Sequence, residues 1–310
     1  MRERNSGFAQ NLTQRLSSFD NEVYKLPGLK SDKETQSLIE QLVESQRRVD
    51  FTRVIKERQI SRNRVEPTED IFDPIRAAIL SARDGNLDEA CWLVFLSVNF
   101  GKHRTAGWRT TAQIYGCLGS GQNWTFARVS ANAKAFRRWL DDNLGRIDRR
   151  VGNHRKYESL SGSKARGAGA AVESYVDWVK HSPLGNHSSL FSDALVLAND
   201  NPEAAFAQLY KSLSAVTSFG RTARFDYLSM LAKLSLANIR PDSCHIIGST
   251  GPIAGAKLLF GGATTSKMSS KKLEQLATEF ANYLDLGKDV VEDALCNWQK
   301  SPSAFKPFRG

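Results

Sequence analysis

The stretch FGRTARFDYLSML (219–231) holds residues well placed to do chemistry. At about 100° per residue, Ala223, Tyr227, Met230, Leu231 and Leu234 share one helical face. Arg224 falls inside that apolar arc, where a guanidinium needs an acid in the interior or a phosphate across a cleft. Asp226 lies opposite with Thr222, Ser229 and Lys233, and the cations Arg221, Arg224 and Lys233 around it keep it ionised. Such a carboxylate can activate water or steady a positive charge.

Two runs add a high density of polar groups. One is Asn153, His154, Arg155, Lys156, Tyr157 and Glu158 after Gly152; the other is NFGKHR, with Asn99, Lys102, His103 and Arg104. Hydrated loops are the plain alternative for both. In PDSCHIIGSTGPIAGAKLLF (241–260), Gly248 and Gly251 permit a tight turn whose N–H groups point outward. A new helix with Gly255 begins beside them, its positive dipole end first. Such a turn can hold one phosphate, with Thr250 and Lys257 beside it, although a simple connection between helices would use the same residues.

Helices must position these groups. Helical periodicity runs over 32–60, 69–83, 87–100, 104–117, 124–143, 170–181, 188–198, 202–217, 221–236, 252–260, 270–284 and 287–300, and no alternating run asks to be a strand. The expected fold is all-α. Residues 1–30 stand apart as an N-terminal segment of unassigned order. A helical layer over 31–160 and another over 171–310 are expected, divided at SGSKARGAGA (161–170), which reads as a flexible basic loop carrying Lys164 and Arg166. No internal repeat is evident.

The chain has 310 residues and a net charge of +10, a surplus that favours a polyanionic partner. The segments 46–64 and 137–158 concentrate that charge, as solvated helix faces or as surfaces that track phosphates. Four scattered cysteines without a CxxC pair, and five histidines without ligand spacing, point to reduced thiols and no metal site. The longest apolar run, 90–100, is about half of a membrane span, and the start lacks an apolar leader, so a cytoplasmic protein without a membrane partner is expected.

NFGKHRTAGWRTTAQIYGCLG (99–119), WTFARVSANAKAFRRWL (124–140), GNHRKYESL (152–160), VESYVDWV (172–179), FGRTARFDYLSMLAKL (219–234) and GPIAGAKLLFGG (251–262) together resemble one family. It is the alpha-glutamyl/putrescinyl thymine pyrophosphorylase clade 3 family, all-helical and similar to DNA glycosylases. The resemblance implies a helix-hairpin-helix element at 246–258 and an enzyme handling a modified base in DNA. It includes phage-defence glycosylases that remove glucosylated hydroxymethylcytosine.

Excision of a base requires an extruded nucleotide, a stacking pocket and charge stabilisation for the sugar. For such a pocket the residue types offer Lys102, His103, Trp108, Asn153, His154, Lys156, Tyr157, Tyr175, Arg221, Arg224 and Tyr227, with Trp124 and Phe225 as further aromatics; packing in the core is the plain alternative for the aromatic rings. Gly248, Thr250, Gly251, Gly255, Lys257, Arg155, Lys164 and Arg166 are expected on the DNA backbone. Asp226 is the preferred catalytic acid, followed by Glu158 and Glu173, with a solvated helix face the plain alternative for Asp226. Strand-cutting relatives carry a lysine two residues after the second hairpin glycine. Ile253 stands there, which points to water as the nucleophile and an abasic site as product. The aspartate expected about twenty residues beyond that glycine is replaced by Lys271 and Lys272. The partner expected is double-stranded phage DNA with hypermodified bases, the chain a monomer and no cofactor needed. A transferase or pyrophosphorylase-like enzyme of hypermodified thymine synthesis, and a non-catalytic DNA-binding module, are the alternatives.

Overall fold

A computed structural model describes residues 6–156 and 158–307. Among them the regular structure is all helical: α1 (Ser6–Ser18), α2 (Asp32–Glu57), α3 (Pro74–Arg83), α4 (Leu87–Phe100), α5 (Arg109–Tyr115), α6 (Phe126–Ala131), α7 (Ala133–Asn143), α8 (Ala168–Lys180), α9 (His187–Leu197), α10 (Pro202–Ser212), α11 (Arg221–Lys233), α12 (Gly251–Gly261), α13 (Ser270–Tyr283) and α14 (Lys288–Trp298). Only isolated bridges, His103 with Gly107 and Ser159 with Gly167, interrupt the helical pattern.

Local chemistry sets many of the ends. Asp73 accepts from the amides of Ile75 and Arg76, and Pro74 opens α3; the expected start at 69 therefore moves inward to a proline at the first turn. Asn132 breaks the periodic stretch 124–143 in two. Its φ of −154° leaves the helix while its side chain caps α7 through the amide of Ala135. The stretch expected over 104–117 shortens to α5 because Gly107 pairs back onto His103.

The chain forms two compact units. One unites the residues up to Thr52 with those from Pro241 onward; the other is Arg53–Arg240. The division expected at 161–170 instead falls inside the second unit. Contacts distant in sequence decide this, and periodicity carries no record of them. In the first unit α1 packs through Leu12 and Leu16, and Phe19 meets Phe280 edge-on at 5.1 Å. The N-terminal segment thus contributes to a core shared with α13 and α14.

In the second unit α4 is the axis. Ala90 to Leu96 are fully buried in every direction, as a helix apolar all round must be. Phe95 stacks on Tyr175 of α8 at 3.9 Å and meets Phe219 at 5.3 Å. The loop at 161–170 is built onto α7. Arg137 donates to the carbonyls of Gly162 and Ser163, and Asp141 accepts from the amide of Gly162 at 2.6 Å. A methyl group at Gly162 would lie 1.9 Å from the carbonyl oxygen of Arg137, so glycine alone fits there.

Candidate functional site

In the second unit, four segments distant in sequence converge where α4 ends. Gly101 and Gly152 meet back to back: a methyl group on either would lie 2.8 Å from the other's Cα. The amide of Gly152 donates to the carbonyl of Phe100 at 2.8 Å. Arg155 ties the assembly together. Its Nε donates to the carbonyl of Asn99 and its Nη2 to Asn99 Oδ1, both at 2.9 Å, and its Nη1 donates to the carbonyl of Ser218 at 3.0 Å. Ser218 in turn donates to the carbonyl of Arg166 at 3.0 Å.

Arg155 is 8% exposed, and burial pulls its pKa below the ordinary value, against the opposing effect of Glu158. The expectation that it grips DNA is thus corrected, because its donors are committed to holding loops. Lys102, Arg104, His154, Lys156, Lys164 and Arg166 remain exposed on the same segments. A small cavity of about 10 Å³ lies among Asn99, Arg155, Glu158, Arg166 and Ser218, room for about one water. The Nδ2 of Asn99 is buried without a hydrogen-bond partner among the described residues. The Glu158 carboxylate stands 3.9 Å from Arg155 and is 40% exposed.

A larger cleft of about 510 Å³ opens beside the 102–109 turn, lined by Glu69, Asp70, Arg76, Lys102, Trp108 and Arg109 among others. The His103 ring fixes the turn: its Nδ1 accepts from the amides of Ala106 at 3.1 Å and Thr105 at 3.3 Å. Held so, Lys102 Nζ sits 5.9 Å from the Trp108 ring centre. The Trp108 Nε1 is buried without a partner among the described residues. An aromatic face flanked by cations and by two exposed acids can stack a planar ring and bond to its substituents.

Sequence reasoning missed Glu69, Asp70, Arg76 and Arg109. The signal available was the acid-rich turn EPTEDIFDP (66–74) in an otherwise basic chain.

Other expected pocket residues turn out to belong to the core. Tyr175 and Tyr227 are wholly buried, with their hydroxyls 2.8 Å apart. Tyr175 also bonds His187 Nε2 at 2.7 Å, and His187 Nδ1 meets Asp88 Oδ1 at 2.6 Å. Burial lowers the His187 pKa, outweighing the opposing pull of Asp88, and pushes both tyrosines well up. Neither ring can stack on a base. Trp124 and Phe225 are buried likewise. Among the described residues Arg224 pairs with no acid: it donates to the carbonyl of Tyr210 at 3.2 Å and lies over that ring at 4.5 Å. Arg221 lies 5.3 Å from the Phe225 ring centre. Tyr157 and the side chain of Asn153 lie outside the described residues.

The three expected acids occupy different places. Asp226 is on the exposed face of α11, Glu173 pairs with Arg137 at 2.5 Å between α7 and α8, and Glu158 stands at the converging loops.

In the other unit, Gly248 adopts φ +78° in an exposed turn, and Ser249 Oγ accepts from the amide of Ile253 at 3.1 Å. Thr250 is exposed and Lys257 half-buried. Residues 234–250 separate α11 from α12, so no tight hairpin joins two helices here. Gly251 and Gly255 serve packing. A methyl group at Gly251 would lie 2.5 Å from Cys296 Sγ, and one at Gly255 2.2 Å from the carbonyl oxygen of Leu295. This corrects Gly255 as a DNA contact.

Among the described residues, no cluster of three or more His, Cys, Asp or Glu could hold a metal ion, and no helix is long and apolar enough to cross a membrane. A family model described as alpha-glutamyl/putrescinyl thymine pyrophosphorylase clade 3 matches residues 33–310. No curated protein and no solved structure matches the chain.

Proposed function

The chain belongs to the alpha-glutamyl/putrescinyl thymine pyrophosphorylase clade 3 family, and from that premise we propose that it is a monofunctional DNA glycosylase. It acts on a hypermodified base of phage DNA, glucosylated 5-hydroxymethylcytosine in the first instance, and serves anti-phage defence. The cleft under Trp108 carries this reading. Its volume of about 510 Å³ suits a base with a bulky substituent, and its walls mix an aromatic face with acids and cations. Exposed cations on the adjoining loops supply the attraction for the phosphate backbone.

In this reading the extruded base stacks on Trp108 beside Lys102, and Glu69, Asp70 and Arg76 meet the hydroxyl groups of the substituent. Glu158 replaces Asp226 as the preferred acid, because it stands on the segment packed against Gly101, one residue from Lys102. It takes a proton from water as the water oxygen bonds to C1′ of the sugar. The bond from C1′ to the base breaks, its electron pair leaves with the base, and the base takes up a proton as Glu158 gives its own up, restoring the carboxylate. The products are a free base and an abasic site.

Incubation with phage DNA carrying glucosylated hydroxymethylcytosine, then heating in alkali, is expected to give strand breaks that plain DNA does not show. The variant Glu158→Gln should bind the same DNA and lose at least about a hundredfold in rate. Modified DNA left whole rejects the reading. The family's name favours a second reading, a pyrophosphorylase-like step in building hypermodified thymine. That enzyme would need an activated nucleotide, release pyrophosphate and leave the DNA intact.

A further inference from the structure

Between α7 and α8 lies an open cleft of about 460 Å³, lined by Lys134, Arg137, Arg138, Asp141, Ser163 and Glu173. Its charges divide into two sets. Arg137, Asp141 and Glu173 face inward and hold the 161–167 loop. Arg137 bonds Glu173 and the carbonyls of Gly162 and Ser163, while Asp141 accepts from Gly162 and from Ser161 Oγ at 3.1 Å.

The other set faces water. Lys134 and Arg138 on the cleft wall, and Lys164 and Arg166 on the loop beside it, are all exposed, and among the described residues none of their side chains has an ion pair or hydrogen bond. The exposed acids of the same helices, Asp142 and Asp177, form no ion pair with them. Lys134 and Arg138 are one turn apart on α7, separated by about 6 Å along its axis. Like charges left side by side repel, and nothing in the fold requires them.

We infer that this cleft seats the sugar-phosphate backbone of a duplex DNA strand. A single small anion at so exposed a site would be held weakly, since water and salt screen each pair. Several cations on and beside a pinned scaffold can meet several phosphates at once, and each contact releases condensed counterions. The surface is continuous with the site above, because Arg166 belongs to this loop and also lines the small cavity beside Glu158. The inference rests on the DNA reading but needs no excision.

The test is equilibrium binding of a short unmodified duplex to the full chain over a range of salt concentrations. The double variants K134A/R138A and K164A/R166A should each reduce the slope of log K against log[salt] by about 1.8, from about 0.9 per phosphate. As a control for net charge, R62A/R240A removes two cations already paired with Asp84 and Glu203; it should leave the slope unchanged. Slopes for the cleft variants equal to that of the control overturn the inference, even if modified DNA is cleaved. Reduced slopes with modified DNA left whole support the surface and reject the excision reading instead.

Discussion

Replacing Arg155 by methionine tests whether one buried guanidinium assembles the site. Methionine keeps the length and apolar stem but leaves the carbonyls of Asn99 and Ser218 and the Asn99 side-chain oxygen without their donor. Hydrogen bonds from a charged donor contribute about 1.5–3 kcal/mol each, a gross loss of roughly 4–9 kcal/mol. Returning the guanidinium's hydration offsets part of this, so the net loss should be about 3–5 kcal/mol. For a unit the size of Arg53–Arg240, at about 2–4 °C per kcal/mol, the melting temperature should fall by about 6–20 °C. Thermal unfolding followed by circular dichroism reads this, and hydrogen exchange should show faster opening of the amides in 99–104 and 152–158. The exposed neighbour His154→Met should stay within about 0.5 kcal/mol of the parent. If Arg155→Met melts with that control, the guanidinium does not tie the loops and the reasoning fails.

Three further outcomes are expected. Burial lowers the His187 pKa in the fold, so the folded chain takes up a proton there less readily than an unfolded histidine, which titrates near about 6.5. The unfolded state therefore binds more protons below that value. Stability should be complete above pH about 6.5 and fall as pH drops through it, by up to about 1.4 kcal/mol per pH unit. Urea midpoints measured from pH 7 to 5 should show this limb in the parent and a flatter one in His187→Gln; equal slopes would exclude the assignment. Gly255→Ala places a methyl group 2.2 Å from the Leu295 carbonyl oxygen and should cost about 1–3 kcal/mol in chemical denaturation; no change would mean that α12 and α14 are not in tight contact. Trp108→Ala should weaken binding of a modified single strand by about 1–3 kcal/mol, read by fluorescence anisotropy, and unaltered affinity would remove the stacking role.

Much of the helical framework was legible because the forces behind it are local. The stretch 87–100 was expected as a helix, and α4 is one, apolar and buried on all sides over Ala90 to Leu96. Asn201 with Pro202, and Gly220 before Arg221, mark starts that the structure keeps, since a cap acts over three or four residues. The N-terminal helix escaped notice, and 124–143 read as continuous, because α1 gains its support from α13 and α14 while Asn132 looks ordinary in an otherwise helical pattern.

The site was legible only in fragments. NFGKHR and GNHRKYESL each stood out by composition, and they do meet. Yet composition could not tell Arg155, buried and bonded to Asn99 and Ser218, from exposed Lys102 or Arg104. Periodicity placed Tyr227 on an apolar face without saying whether that face bordered a cleft or sealed it. The acids that line the cleft with Trp108 come from 66–74, about forty residues earlier in the chain. Helix positions follow from hydrogen bonds a few residues long, so the amino-acid order alone determined them. Which cations were drawn inside, and which acid faces an aromatic ring, depends on chain segments that meet only when the core closes, and the tertiary structure decided it.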